Sequence, residues 1–443
     1  MNRQQFLLPL IGLILACFPA AGHDDGAALT DNHSDKLALI IPNLFGAGGL
    51  TLPNPNHNAH FDSAFQSNFV PFNTALAGQL TSLPIPSPAS GFTYTFDKAL
   101  GVYTSSTQSF GPILAERAET IGKDKFYFGF SYQRFRFDSI DGLDLHKVPV
   151  VFQHALVQNQ DFLKDIITTD NFLDIHIGQF TTFFTYGFND RLDVSVAIPF
   201  ISANLKVVSK AKIQRIGTAN EDCTVTSTTC SHYFDTSIGD RSEKQFSDSG
   251  SANGIGDVIV RLKGTAFRSQ RAGLALGLDV RAPTGDEYDF LGSGSLGIKP
   301  FAAFSVRAGR VSPHVNGAFQ WNGSTVLAGD IVSGRKQRLP NQILYVAGAD
   351  IGVTKQFTLA LDLLGQQVRN AQKVVQTTYT GANQVGYPQI AFMKGTLNEL
   401  NGATGFKINA FGKLIVAFNV IFKLNNDGLR GKVTPLIGLS YTL

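Results

Sequence analysis

Leu192-Asp193-Val194-Ser195-Val196-Ala197-Ile198-Pro199-Phe200 decides how this chain is read. Leu192, Val194, Val196, Ile198 and Phe200 fall on one face of an extended strand, and Asp193, Ser195, Ala197 and Pro199 on the other, because strand side chains alternate with period two. The pattern recurs at Leu274, Leu276, Leu278 and Val280, and at Leu414, Val416, Phe418, Val420 and Phe422. It returns at the end, at Val433, Pro435, Ile437, Leu439, Tyr441 and Leu443. Working outward, the spacing predicts twelve strands, at about 125–137, 172–186, 191–202, 255–267, 272–282, 296–307, 312–322, 342–353, 357–368, 404–411, 414–424 and 431–443. A soluble sheet alternates too, so the faces alone leave the surroundings open.

The connections decide. Tight turns at 187–190, 268–271, 308–311, 354–356 and 412–413 follow every second strand, and longer connections follow the others, up to the loops expected at 203–254 and 369–403, except that the last, 425–430, is short. Short turns on one side and long loops on the other are the pattern of outer-membrane barrels, and an even strand count returns both ends of the wall to the periplasm. The expected fold is therefore all-β, a transmembrane antiparallel β-barrel of about twelve strands over 125–443. Composition agrees. Of 443 residues, 16% are charged, while 44 are Gly and 36 are Phe; soluble domains carry about 25% charge. The aromatic content excludes a disordered chain. A net charge of +3 gives no footprint for nucleic acid.

The N-terminus names the compartment. Arg3, the apolar run 6–18 and Pro19-Ala20-Ala21-Gly22 form a signal peptide expected to be cleaved after Gly22. The alternative is a lipobox at Ile14-Leu15-Ala16-Cys17, with Cys17 lipidated. Beyond it no run of about 20 apolar residues exists for a spanning helix, and in lipid only helices and closed barrels satisfy their backbone. The expected location is the bacterial outer membrane of a Gram-negative cell, with its lipid as the first partner.

The polar faces of the strands supply the candidate site. Asp257, Arg261, Lys263, Asp279, Arg281, Lys299, Arg307, His314, Asp350, Asp362 and Lys407 lie opposite the apolar faces, with Asn316, Gln320 and Asn409. A charge facing lipid costs about 2–4 kcal/mol near the midplane, so these residues are read as lining the lumen. Twelve strands give a bore between filled eight-stranded and open sixteen-stranded barrels. Trp321, Tyr345 and Tyr441 are expected near the lipid interfaces.

Residues 23–124 differ: they are rich in loops, with a Pro-rich run at 82–88, yet carry Leu44, Phe45, Phe61, Phe65, Phe69, Phe72, Phe92 and Phe96. A periplasmic linker and a plug in the barrel mouth both fit, and the apolar content favours the plug. A hairpin around Asp97-Lys98 would give fourteen strands if it joined the wall.

Three segments carry a resemblance. They are Tyr186-Gly187-Phe188-Asn189-Asp190-Arg191-Leu192-Asp193-Val194 with Ile198-Pro199-Phe200, Gly254-Ile255-Gly256-Asp257-Val258 running to Lys263-Gly264, and Leu278-Asp279-Val280-Arg281-Ala282-Pro283-Thr284-Gly285-Asp286. In this order they resemble the outer-membrane transporters of the MetA-pathway-of-phenol-degradation family, distantly similar to the plugged long-chain fatty-acid channels. The resemblance implies an outer-membrane channel for small hydrophobic or aromatic solutes, by passive or facilitated diffusion. A terminal Leu443, where such barrels usually end in Phe or Trp, departs from the pattern. The alternative is a closed structural or adhesive barrel that binds partners through its external loops.

Other motifs are weak. Cys223 and Cys230 are expected to form a disulfide in an oxidising compartment. Their spacing does not suit zinc. Gly292-Ser293-Gly294-Ser295-Leu296-Gly297 matches a dinucleotide fingerprint but precedes an expected strand instead of a helix. His23, His33, His57 and His60 read as surface histidines. No nucleophile elbow, cofactor or metal site is expected, and the chain is not read as an enzyme.

Overall fold

A computed structural model describes residues 36–46, 49–54, 61, 70–82, 94–97, 102–105, 109–153, 164–216, 230–235, 241–411 and 413–443. The leader at 1–22 with Cys17, the histidines His23, His33, His57 and His60, and Cys223 lie outside the described residues. Two helices come first, α1 (Leu37–Asn43) and α2 (Val70–Ser82), then a hairpin of β1 (Tyr94–Asp97) and β2 (Val102–Ser105). The wall begins with β3 (Phe126–Phe137), followed by the short β4 (Ser139–Ile140), β5 (Leu143–Asp144) and β6 (Val148–Phe152). It continues through β7 (Ile166–Asn189), β8 (Leu192–Gln214), β9 (Glu243–Ile255), β10 (Ile259–Arg268), β11 (Ala272–Arg281), β12 (Gly297–Val306) and β13 (Val311–Asn322). After the small pair β14 (Ser324–Asp330) and β15 (Arg335–Arg338) come β16 (Gln342–Gly352), β17 (Phe357–Thr380), β18 (Gly386–Phe411) and β19 (Leu414–Lys423). The short β20 (Leu429–Arg430) precedes β21 (Val433–Thr442).

Twelve of these strands, β3, β7, β8, β10, β11, β12, β13, β16, β17, β18, β19 and β21, pair antiparallel in chain order, and β21 returns to β3. Closure is complete to the last residue, since Leu443 N donates to Phe126 O at 2.8 Å. A closed ring has no edge, so every backbone group within the bilayer finds a partner. The chain is an outer-membrane β-barrel. The hairpin β1–β2 forms its own two-stranded sheet, so the fourteen-strand alternative is excluded: its strands pair with each other instead of with the wall. The outward residues Val260, Leu262, Leu276, Leu278, Val315 and Phe319 are exposed, as a lipid-facing surface requires.

The wall also corrects the expected loops. Residues 203–214 and 243–254 are not loop but the outer lengths of β8 and β9, and 369–380 with 386–403 are a hairpin closed by the tip 381–385. The physical reason is a change of solvent along each strand. In β8 the outward residues Leu192 to Phe200 are apolar, but beyond them Ser202, Asn204, Lys206, Lys210 and Lys212 point outward while Ile201, Ala203, Leu205, Val207, Ala211 and Ile213 are buried. Its partner β7 changes at the same height, where Gly178 pairs with Ser202 and Gln179 with Ile201. Below this line lipid surrounds the wall; above it water does, so the apolar residues turn inside.

The wall bends where β8 changes partner. Phe200 pairs with Ile255 of β9, and Ala197 with Ile259 of β10. Between them Pro199 has no N–H to give and only accepts, from Gly256 N at 2.8 Å. Residues 256–258 face only 198 and 199, and the one extra residue acts as a bulge: Gly250 and Gly254 turn inward on β9, whereas odd-numbered Arg261 and Lys263 turn inward on β10.

The apolar interior above the membrane is filled by the N-terminal segment. Leu37, Ala38, Ile40 and Ile41 of α1 are buried, and Leu37 lies against Gly250 of β9. Lys36 anchors this helix to the β11–β12 loop, at 2.8 Å from Asp286 and 2.6 Å from Asp289. Partial burial raises the Asp286 carboxyl, but hydrogen bonds from Lys36 and from Tyr288 N outweigh it and hold its pKa below the ordinary value. A depressed carboxylate stabilises above its unfolded pKa and loses that contribution as pH falls through the folded one. The protection of the amides at 36–46, with the intrinsic pH dependence of exchange divided out, should therefore be high at pH 7 and fall below about pH 4, and Asp286→Asn should remove part of that pH dependence.

Candidate functional site

Residues 109–124 cross the bore as an irregular strap. From Phe110 through Ile121 it is buried throughout, although it lacks helix or strand of its own. Buried backbone must still be hydrogen-bonded, and wall side chains supply the partners. Phe110 N donates to Thr358 Oγ1 at 3.0 Å, Glu116 N to Asn316 Oδ1 at 2.6 Å, Ala118 N to Ser305 Oγ at 3.1 Å and Ile121 N to Asp193 Oδ2 at 3.0 Å. In return Lys407 Nζ donates to Phe110 O at 3.2 Å and Pro112 O at 2.5 Å, Thr265 to Ala118 O at 2.7 Å, and Lys263 to Glu119 O at 3.0 Å. At its far end Gly187 packs so closely on Gly122 O that no side chain fits there.

The strap also brings charge into the bore. Arg117 pairs with Asp350 at 3.2 Å, and both are almost fully buried. Asp350 further accepts from Ser109 Oγ. Beside it His314 lies 3.5 Å from Asp350 and 2.7 Å from Asp362. Higher in the bore Glu116 meets Arg261 and, at 3.4 Å, Lys263. Arg261 grips Asp279 at 2.6 and 2.7 Å, and Lys299 reaches the same carboxylate at 3.0 Å. Arg307 approaches Glu119 at 3.6 Å. Arg281 approaches Asp257 at 3.5 Å, while Asp257 accepts from Ser293 N at 2.8 Å, Ser293 Oγ at 2.6 Å and Gly285 N at 3.2 Å.

All eleven charged candidates thus contact the strap or one another. Around the strap the wall brings together Arg261, Lys263, Asp279, Lys299 and Arg307 on one side and His314, Asp350, Asp362 and Lys407 on another; Asp257 and Arg281 sit higher, under the β11–β12 loop. The residues that join them, Ser109, Glu116, Arg117 and Glu119, are not among the strand positions that pattern picks out. Their signal is a set of charges inside an otherwise apolar, aperiodic run.

On the outer side α2 is tied to the wall. Gln79 Nε2 donates to Glu399 at 2.9 and 3.0 Å, Glu399 pairs with Arg430 at 3.0 Å, and Gln342 Nε2 donates to Thr81 Oγ1 at 3.0 Å. Between α2 and the strap a cavity of about 200 Å³ remains, with Leu80 and Thr81 from the helix and Leu114 and Glu116 from the strap on its lining. Outside the bilayer, Cys230 is buried and disulfide-bonded. The glycines at 292 and 294 lead into the strand β12.

A closed antiparallel wall and a lipid-facing apolar surface define the class: an outer-membrane β-barrel of twelve strands. The family described as "Putative MetA-pathway of phenol degradation" matches residues 168–382. That stretch contains the three motif segments, and over it the chain resembles this family. Among solved structures, the chain is similar to the COG4313 outer membrane channel from Pseudomonas putida F1, at 12% identity and a TM-score of 0.44, covering 74% of this chain and 98% of that one. A FadL homologue from Pseudomonas aeruginosa is similar at 8% identity and a TM-score of 0.32, covering 83% of this chain and 97% of the other. No curated protein matches the sequence.

Proposed function

We propose that this barrel admits small hydrophobic or aromatic compounds through the outer membrane by passive or facilitated diffusion. The observation that carries the reading is the inverted interior. Above the membrane the inner faces of β7 and β8 present Leu173, Ile175, Ile177, Ile201, Ala203, Leu205 and Val207, an apolar lining that runs down to the cavity edge at Ile201. The N-terminal segment packs against this interior, so a solute gains roughly 25 cal/mol per Å² of apolar area buried where it takes that segment's place. The phenol-degradation family supports an aromatic cargo. Below the cavity the strap blocks the bore, so cargo leaves only when the strap shifts. The lumen charges Arg261, Lys263, Asp279, Arg281 and Lys299 then act on selectivity through their field and through the strap they hold.

One observation favours the second reading, a closed barrel that binds partners through its external part: the three charged strap residues are each engaged by the wall. Vesicles with lipopolysaccharide in the outer leaflet separate the two. With the protein present, toluene entry should rise several-fold over empty vesicles while arabinose entry stays at background. Equal, unchanged entry of both would support the closed barrel.

A further inference from the structure

The chamber between α2 and the strap is chemically two-sided. The β10–β12 side presents Arg261, Asp279, Arg281 and Lys299, while Leu344, Leu364 and Ile421 on β16, β17 and β19, with Leu114 of the strap, form an apolar side. Its lining charges balance, three cations against the carboxylates of Glu116, Asp257 and Asp279. Spare hydrogen-bonding capacity does not balance. Asp279 already accepts from Arg261 twice and from Lys299; Glu116 is held by Arg261 and Lys263; Asp257 accepts three neutral donors. Lys299 spends one contact on Asp279 at 3.0 Å, carries three N–H groups, and its side chain keeps 25% of its surface exposed on the chamber lining. Among the described charged groups of this chamber the vacant partner is an ammonium, not a carboxylate; of its neutral groups, Gln179 Oε1 also lacks a partner.

We infer that the chamber binds a small amphipathic anion, an aromatic ring bearing one carboxylate, with the carboxylate on Lys299 and the ring against Leu114, Leu344 and Leu364. Size sets the class. Drug-sized ligands occupy pockets of about 300–1,000 Å³, so about 200 Å³ admits a single ring and not a long acyl chain. The inference rests on the channel reading and names the cargo's charged group.

Calorimetry on the detergent-solubilised barrel with benzoate, benzyl alcohol and benzylamine tests it. One charge-assisted contact corresponds to about tenfold in affinity, so benzoate should bind about tenfold more tightly than benzyl alcohol, and benzylamine least. Lys299→Met should bring the benzoate preference close to one, with Asp279 still held by Arg261. Lys299→Gln serves if the methionine variant does not fold. Equal binding of the three probes, a preference for benzylamine, or a benzoate preference that survives both variants overturns the inference. Toluene entry into the vesicles separates this failure from that of the channel reading. If toluene enters without any Lys299-dependent benzoate preference, the anion site falls and the channel stands. If benzoate binds through Lys299 while toluene entry is unchanged, the site stands and the channel falls.

Discussion

Replacing residues 110–121 by a Gly-Ser linker of equal length should turn this barrel into an open pore, with arabinose-driven swelling of proteoliposomes rising from background to a rate typical of porins. The expectation follows from how the strap and wall share their polar groups. Ile113, Leu114 and Ile121 lose their packing, each contributing about 1.5–3 kcal/mol as a buried side chain, but this loss belongs to the strap. The wall keeps its ring of backbone hydrogen bonds from β3 round to β21. Lys263, Asp350 and Lys407, which are buried with the strap in place, would be solvated by the water that enters. Twelve strands enclose enough space for that water once the filling is gone. Swelling that stayed at background in a folded variant would mean that α2 or the external strands close the bore.

Asp350→Ala should release the strap from its most buried anchor. Arg117 would lose its carboxylate in a site where its side chain is 2% exposed, and Ser109 and His314 would lose an acceptor with it. Removing one partner of a buried ion pair costs about 3–5 kcal/mol, because the other charge stays buried and uncompensated. Hydrogen exchange at Phe110, Glu116 and Ala118, whose amides are bonded to the wall, should accelerate by orders of magnitude. Adding Arg117→Met to Asp350→Leu should restore most of the protection, since an apolar pair of similar volume replaces a buried ion pair at little cost. If the single variant exchanged like the parent, the strap would not depend on this pair.

Much of the wall was legible from pattern alone. The residues Leu192 to Phe200 reveal a strand and its lipid face, and the tight turns at 187–190, 268–271 and 308–311 mark one end of the barrel, because the bilayer holds each outward position to one chemistry. What escaped is where that chemistry ends. Beyond Phe200 the apolar phase moves from even to odd positions, at Ile201, Leu205 and Val207, and the run then reads as an irregular loop when a lipid-facing phase is sought. Following the phase of Ser202, Asn204, Lys206 and Lys210 would have recovered the outer half of β8. The eleven charged positions are read as inward because charge has no place on the lipid face. Their partners were not. Glu116, Arg117 and Glu119 sit in a segment with no periodicity, whose shape is set by wall groups hundreds of residues away, such as Asn316, Asp350 and Lys407.

If the barrel is the proposed channel, cargo passes only when the strap moves. Ala118 Cβ lies 2.9 Å from the position of a Cβ built on Gly273 of β11, so the strap must move out by about 0.6 Å or more to reach the roughly 3.5–4.5 Å of a disulfide. The double variant Ala118→Cys with Gly273→Cys therefore allows the strap to be locked to the wall. Toluene entry into vesicles with a lipopolysaccharide outer leaflet, measured before and after reduction with the parent protein as control for the native cysteines, is the direct measurement. The oxidised variant should admit no more toluene than empty vesicles, and reduction should restore entry to the parent rate. Entry at the parent rate through the locked barrel would contradict it.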